Sequence, residues 1–302
     1  MDRVPRSTSA AENGLPKRLD QHGHYNRGVN PSTPTMAADL DPSYGERMAR
    51  TDFRTPRLYV SQDLATGAEV RLDPQQTNYL VNVLRLGGGA PVLLFNGRDG
   101  EFSATLAASS RKAASLIVAA QTRPQETPPN VEYLFAPLKH ARLDYMAQKA
   151  IEMGARRLRP VITRHTQVAR VNLERLRANA IEACEQCGVI WIPEIAPVEP
   201  LGEALKRWPA ERLLVFCDEE ADPASPLDTL ANARVDGGVS LLIGPEGGFD
   251  DAERAAILSA PRVLRLSLGP RILRADTAAV AALALIQATL GDWPKRLDGA
   301  GH

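Results

Sequence analysis

The sequence predicts an α/β domain preceded by a small β-barrel, and three observations carry that prediction. Between residues 56 and 121 short β-type runs recur, separated by Gly-rich or Asp-Gly turns. From Val131 onward strand-like runs alternate with segments of helical period, the pattern of a mostly parallel sheet covered on both faces. Residues 122–130, with three prolines and no apolar run, read as the linker between the two.

The elements follow in order. Residues 1–55 are rich in Pro, Ser, Thr, Asn, Gly and charge with almost no Ile, Val or Leu, so they bury too little to offset ordering entropy and are expected to be a disordered tail. Met36 and Met48 lie inside it, and a later start is an equal reading. In the barrel, runs at 57–60, 92–95, 102–106 and 115–118 are the strands. Asp73 and Pro74 cap and open one helix, whose apolar face is Tyr79, Leu80, Val83 and Leu84 and whose stop is Gly87. After the linker, 131–135 reads as a strand. Leu143, Met146, Ala147, Ala150 and Ile151 then fall on one helical face that ends at Gly154. Strands follow at 158–163, 212–217, 239–243 and 263–267, with helices at 173–188, 250–259 and 275–290. The domain is expected to span 131–293, and 294–302 is a short tail.

Composition bounds the function. The 302 residues, 44% hydrophobic and 24% charged, suit an enzyme of one or two domains and exclude a collagen, a disulfide scaffold or a wholly disordered chain. Three cysteines point to a reducing, cytoplasmic setting. No run reaches the ~18 to 20 apolar residues of a membrane span, and residues 1–52 mix 7 acidic with 7 basic side chains and hold no signal-peptide core. No membrane association is expected.

Two segments follow buried strands and carry candidate chemistry. The first is Leu241-Leu242-Ile243-Gly244-Pro245-Glu246-Gly247-Gly248-Phe249-Asp250, where glycines admit close backbone approach to a ligand and Glu246 stands at the mouth. It lacks the Lys of a phosphate loop. The second is Leu266-Ser267-Leu268-Gly269-Pro270-Arg271-Ile272-Leu273-Arg274-Ala275-Asp276-Thr277-Ala278, with two arginines three apart and an acidic residue at a helix start. A plain strand-to-helix turn suits the first segment, and a helix cap suits Asp276. Two such loops in one sheet favour a shared pocket.

Together the two loops closely resemble the RsmE family, the 16S ribosomal RNA uridine-N3 methyltransferases of the SPOUT superfamily. The resemblance extends to Glu182-Ala183-Cys184-Glu185-Gln186-Cys187-Gly188, to Ile192-Pro193-Glu194, to Lys149-Ala150-Ile151-Glu152-Met153-Gly154 and to Asn82-Val83-Leu84-Arg85-Leu86, covering residues 56–293. It implies a PUA-like RNA-binding barrel, a SPOUT domain with a trefoil α/β knot, S-adenosyl-L-methionine as methyl donor and a homodimer. The implied substrate is uridine 1498 of 16S rRNA in the 30S subunit. The chain departs from the family at Asp276, commonly Glu, at Val189, commonly Arg, and near Asn78, where a His is usual.

The implied reaction fixes roles. Gly244, Glu246, Gly247, Leu268, Gly269, Ile272 and Leu273 would cradle the cofactor. Methyl transfer needs near-attack geometry, and the uracil N3 proton must leave. Arg274 is expected to stabilise the anionic base and Glu246 or Asp276 to take the proton. Cys184-x-x-Cys187 lies in a helical run with no second Cys or His pair, so no metal is expected. Charge marks the RNA side: residues 139–177 hold 10 Lys+Arg against 3 Asp+Glu, whereas 178–260 hold 5 against 16. Lys139, Arg142, Lys149, Arg156, Arg157, Arg164 and Arg170, with Arg57, Arg85 and Arg98 of the barrel, are candidate phosphate contacts. The competing readings are a non-catalytic RNA-binding or ribosome-assembly protein, and a related knotted methyltransferase acting on tRNA or on a ribose 2'-hydroxyl.

Overall fold

A computed structural model describes residues 54–293 apart from 111, 169 and 222–223, so all but residues 54 and 55 of the expected N-terminal tail, and the whole of 294–302, lie outside the described residues. The first sheet has five strands, β1 (Arg57–Tyr59), β2 (Glu69–Arg71), β3 (Pro91–Phe95), β4 (Glu101–Ser109) and β5 (Ala114–Arg123), in the order β1-β3-β4-β5-β2. β1 runs parallel to β3 and the other pairs are antiparallel. Alternate side chains turn inward, as a strand's period of two requires. Leu58, Val70, Val92, Leu94, Leu106, Leu116 and Val118 close with Leu80 into one core. Shifts of register between β4 and β5 at Phe102/Ala104 and Leu106/Ala108 add curvature to that sheet.

One helical segment differs from its expected form. Asp73 accepts from the Gln76 N–H while the Gln76 side chain returns to the Asp73 N–H, a capping box that starts α1 (Pro74–Thr77). The chain then widens into a π-helical turn, Asn78–Val83, in which the Leu84 N–H donates to the Tyr79 carbonyl at 2.9 Å. A wider turn breaks the 3.6-residue spacing. Leu80 enters the core, whereas Val83 and Leu84 face solvent at 61% and 36% exposure, so the four-residue apolar face does not form. Arg85, at φ 56°, ends the turn ahead of Gly87.

The second sheet is parallel throughout. Its strands are β6 (Val131–Phe135), β7 (Arg157–Ile162), β8 (Glu194–Ile195), β9 (Glu199–Pro200), β10 (Leu213–Cys217), β11 (Val239–Ile243) and β12 (Val263–Leu266). Their order is β12-β10-β11-β6-β7-β8, with β9 also paired to β7. The helices are α2 (His140–Glu152), α3 (Leu173–Cys187), α4 (Leu201–Lys206), α5 (Pro226–Ala231), α6 (Asp251–Leu258) and α7 (Ala275–Thr289). Odd-numbered Tyr133, Phe135, Leu213, Val215, Leu241 and Ile243 pack under α2, α3, α5 and α7. Even-numbered Leu134, Leu214, Phe216 and Leu242 meet Leu201 and Ala204 of α4, Trp208 and Ile257 of α6. Burial on both faces explains the continuous apolar runs of these strands. Gly188, at φ 78°, caps α3 in the left-handed conformation that favours glycine. β12 lies beyond β10 at the sheet edge, yet the helix that follows it, α7, packs back over β11 and α2. Among the described residues no helix is long and apolar enough to cross a membrane.

Candidate functional site

Parallel strands bring their carboxyl ends to one edge, and ligands of open α/β sheets bind there. β10 ends at Cys217, β11 at Ile243, β12 at Leu266 and β6 at Phe135, so the two glycine segments leave the sheet on the same side. The first is held rigidly. An ideal Cβ on Gly244 would lie 2.7 Å from the Phe249 ring, and that ring stands edge-on to Phe216 with centroids 5.5 Å apart. The Gly248 N–H donates to the Pro245 carbonyl at 2.9 Å, and Gly248 has φ 69°. From the segment after β7, His165 Nδ1 sits 3.2 Å from the Gly248 carbonyl oxygen, and a Cβ on Gly247 would approach His165 Cβ at 3.1 Å. Asp250 caps α6 by accepting from the Glu253 N–H at 2.8 Å, while Glu253 accepts the Arg164 N–H at 2.7 Å.

The second segment is open. Gly269, at φ 97°, has nothing within 4 Å of where a Cβ would stand, and Ile272 is 91% exposed. Leu268 and Leu273 rest on the core below. Arg271 and Arg274 are exposed, and Arg274 occupies the N-cap of α7 without a side-chain cap bond. Asp276 accepts the Thr277 N–H at 2.8 Å.

Arg142 joins the two. From the first turn of α2 its Nη1 donates to Glu246 Oε1 at 2.8 Å, and its Nε stands 3.9 Å from Asp276 Oδ2. The structure thus brings together Glu246, Asp276 and a cation that the charge pattern had placed on the RNA surface. Arg142 therefore already has two carboxylate partners within the protein. Beneath the site, burial raises the Tyr133 hydroxyl far above its usual range, with Cys217 and Asp276 adding to the effect, and the hydroxyl donates to Met146 Sδ at 3.0 Å. Burial, with Asp218 beside it, pushes the Cys217 thiol up to about 12, which keeps it protonated and unreactive. Cys184 is fully buried and donates to the Trp191 carbonyl.

A third loop at this edge, after β10, escaped the sequence reading because it carries no glycine. Its Asp218 is buried and accepts from Arg265 Nε at 2.6 Å and Arg254 Nη1 at 3.1 Å, tying the loop to β12 and α6. Its position after a buried strand was the available signal.

The other cations divide. Arg57 is 5% exposed and its Nε donates to Glu101 at 2.7 Å, so it does not face solvent as a phosphate contact would; its strand runs at the domain junction. Arg98 is bonded to Asp63 and Lys149 to Glu152. Arg156 is partly buried. Arg157 is salt-bridged to Glu194 and Glu132. Arg85, Lys139, Arg164 and Arg170 are exposed, and Lys139 and Arg170 line one cleft of about 370 Å³ with Arg175.

Comparison with known proteins converges on one group. Residues 125–287 match the family described as RNA methyltransferase domain, and residues 72–119 match the RNA methyltransferase PUA domain. Ribosomal RNA small subunit methyltransferase E of Synechocystis sp. is 30% identical over 262 residues, 86% of this chain and 86% of that one. The protein of the same name from Rickettsia conorii is 29% identical over 232 residues, 76% of this chain and 94% of its own. A crystal structure of that enzyme from Neisseria gonorrhoeae, bound to S-adenosyl methionine, superposes with a TM-score of 0.71 at 28% identity, covering 80% of this chain and 100% of that one.

Proposed function

Because this chain belongs to the ribosomal RNA small subunit methyltransferase E family, we propose that it methylates N3 of uridine 1498 of 16S rRNA, on the 30S subunit in the cytoplasm, with S-adenosylmethionine as donor. Its architecture is that of the family, a PUA-like domain followed by a SPOUT methyltransferase domain.

The residues at the strand ends fit that cofactor. Gly244, Gly247 and Gly269 present backbone where side chains would obstruct or strain the loops, and Leu268, Ile272 and Leu273 offer apolar surface between them. With the backbone of Glu246 these residues would hold it. When bound, S-adenosylmethionine supplies an electrophilic methyl group on a sulfonium. Arg274, at the positive end of α7, is placed to stabilise negative charge on the uracil oxygens once N3 gives up its proton. The proton passes to a carboxylate oxygen of Glu246 or Asp276, the two acids gathered by Arg142. Holding the uracil N3 against the bound donor in a productive orientation would supply much of the remaining acceleration.

A homodimer is part of the proposal. α7 is apolar around most of its circumference, and Val280, Ala281, Ala284 and Leu285 are only partly covered within one chain. Such a helix is normally buried throughout. Light scattering of the purified protein tests this directly.

The observation that carries the reading is the meeting of both glycine loops with Glu246, Asp276 and Arg142 at one sheet edge. Mass spectrometry of ribosomal RNA from a deletion strain should show one uridine lacking its methyl group, restored by the wild-type gene. Arg274→Ala should remain dimeric, bind S-adenosylmethionine and lose at least ~100-fold in methylation. Full activity in that variant would refute the role given to Arg274.

A further inference from the structure

The barrel and the α/β domain share more than a linker. Phe95, the last residue of β3, is fully buried in the core of the α/β domain, edge-on to Tyr59 at 5.8 Å. Gly97 presses on Ile192 so closely that a Cβ there would lie 2.5 Å from Ile192 Cγ1. Beside this apolar plug, Arg57 and Glu101 form an ion pair at 2.7 Å with side chains 2% and 3% exposed. Arg123 stands 3.6 Å from the same carboxylate, and Thr122 Oγ1 donates to it at 2.8 Å. Both arginines also reach the C-terminal end of α3. Arg57 Nη1 donates to the Glu185 carbonyl at 3.4 Å and Arg123 Nη1 to the Gly188 carbonyl at 2.8 Å, where the negative end of the helix dipole favours cations. In return Glu185 Oε1 accepts the Tyr59 N–H at 2.9 Å.

Next to these contacts a cleft of about 500 Å³ opens between the domains, lined by Arg98 of the barrel and Arg177 of α3, with Tyr59, Asn96 and Trp191. We propose that Arg57, Glu101, Arg123 and Glu185 form an interdomain clasp: positioning residues that hold the barrel in one orientation, so that guanidinium groups of both domains meet a single RNA strand in this cleft. The inference rests on the RNA methyltransferase reading. A fixed orientation removes the ordering that two loosely tethered modules would undergo on binding, and it keeps the second module at high effective concentration once the first has engaged. Arg57 and Glu101 pair within the barrel, and Glu101 thereby aims both arginines at α3; the bonds that cross between the domains are those of Arg57 and Arg123 to the α3 carbonyls and of the Tyr59 N–H to Glu185.

The test uses the full-length protein with 30S subunits as substrate. Arg57→Met with Glu101→Leu removes both charges together, and Arg123→Ala removes a more accessible member, 15% exposed. Each should leave S-adenosylmethionine affinity and kcat within about twofold of wild type while raising KM for the RNA at least tenfold. A Cβ built on Gly97 lies 3.4 Å from Ile192 Cβ, just short of the ~3.5–4.5 Å of a disulfide, so the cross-link is within reach of a small shift, with strain from the left-handed backbone of Gly97 at φ 82°. Oxidised Gly97→Cys/Ile192→Cys placed in the Arg123→Ala background should therefore restore KM, and reduction should raise it again. Wild-type KM in the clasp variants, or a raised KM that the cross-link leaves unchanged, overturns the clasp. If the double variant does not accumulate, Arg123→Ala and its cross-link decide alone. A wild-type protein that transfers no methyl group to 16S rRNA overturns the functional reading and the clasp with it.

Discussion

Gly244→Ala is the most direct probe of the cofactor loop. The new methyl carbon would stand 2.7, 3.0 and 3.2 Å from three atoms of the Phe249 ring, against about 3.5–4.0 Å for a normal carbon contact, so the ring or the loop must move by roughly 1 Å. If the ring moves, its edge-on contact with Phe216 is spoiled, a loss of about 0.5–1.5 kcal/mol, within an overpacking cost of about 1–3 kcal/mol in all. At roughly 2–4 °C per kcal/mol for a folded unit of this size, the melting temperature should fall by about 2–12 °C. If the loop moves instead, Glu246 and Gly247 shift toward the space proposed for the cofactor, and S-adenosylmethionine affinity should fall about tenfold or more, equivalent to ~1.4 kcal/mol. Gly202→Ala is the control: nothing lies within 4 Å of its Cβ position and it sits in α4, so a small stabilisation of about 0.5–1 kcal/mol is expected. Calorimetric titration with S-adenosylmethionine and thermal melts read both quantities. Unchanged affinity and melting temperature in Gly244→Ala would refute the idea that Phe249 pins this loop against the cofactor site.

Other outcomes follow from the same geometry. Burial pushes Glu185 up to about 7 from an ordinary 4.5. The folded protein thus keeps a proton there that the unfolded chain releases, and stability declines as pH rises between those values, the decline being complete above about 7. Glu185→Gln, neutral throughout and still able to accept the Tyr59 N–H, should flatten that decline in urea melts and be more stable at pH 8 by on the order of 1–3 kcal/mol; an unchanged pH profile would contradict it. Arg142→Ala breaks a half-exposed pair and should cost less than about 1 kcal/mol of stability, yet methylation should drop roughly tenfold as Glu246 and Asp276 lose their common partner; a proportionate loss of melting temperature would point to a structural role instead. Lys139→Ala and Arg170→Ala should each lower the slope of log RNA affinity against log salt by about 0.7–0.9 per lost phosphate contact, and a slope equal to wild type would remove that residue from the RNA surface. Cys217 should resist iodoacetamide at pH 8 in the native protein and react once the chain is unfolded in urea.

Local features were legible because they depend on neighbours in sequence. The strands at 131–135 and 239–243 occupy the expected residues, since continuous apolar runs suffice to mark strands buried on both faces. The stops at Gly154 and Gly188 follow from a backbone that only glycine adopts easily, at φ 79° and 78°. The short strand β2 was not, because its three residues, with Val70 alone buried, are too few to reveal a period in the sequence. The π-turn at Asn78–Val83 was hidden for a related reason: its composition suits an ordinary helix, and the wider turn shows itself only in the structure, where Leu80 packs into the barrel core.

What the sequence by itself determined was the set of chemical groups and the two loops that carry them, because glycine spacing, strand ends and caps are written in consecutive residues. The tertiary structure alone decided which cation serves which purpose. Arg57 and Arg142 are both basic residues in segments rich in charge, yet one is buried against Glu101, 44 residues away, and the other meets Glu246, 104 residues away. A charge count records how many arginines there are. The partner of each, and hence whether it holds a domain, a carboxylate or an RNA phosphate, is set by strand order and docking, which bring together residues that no local period relates.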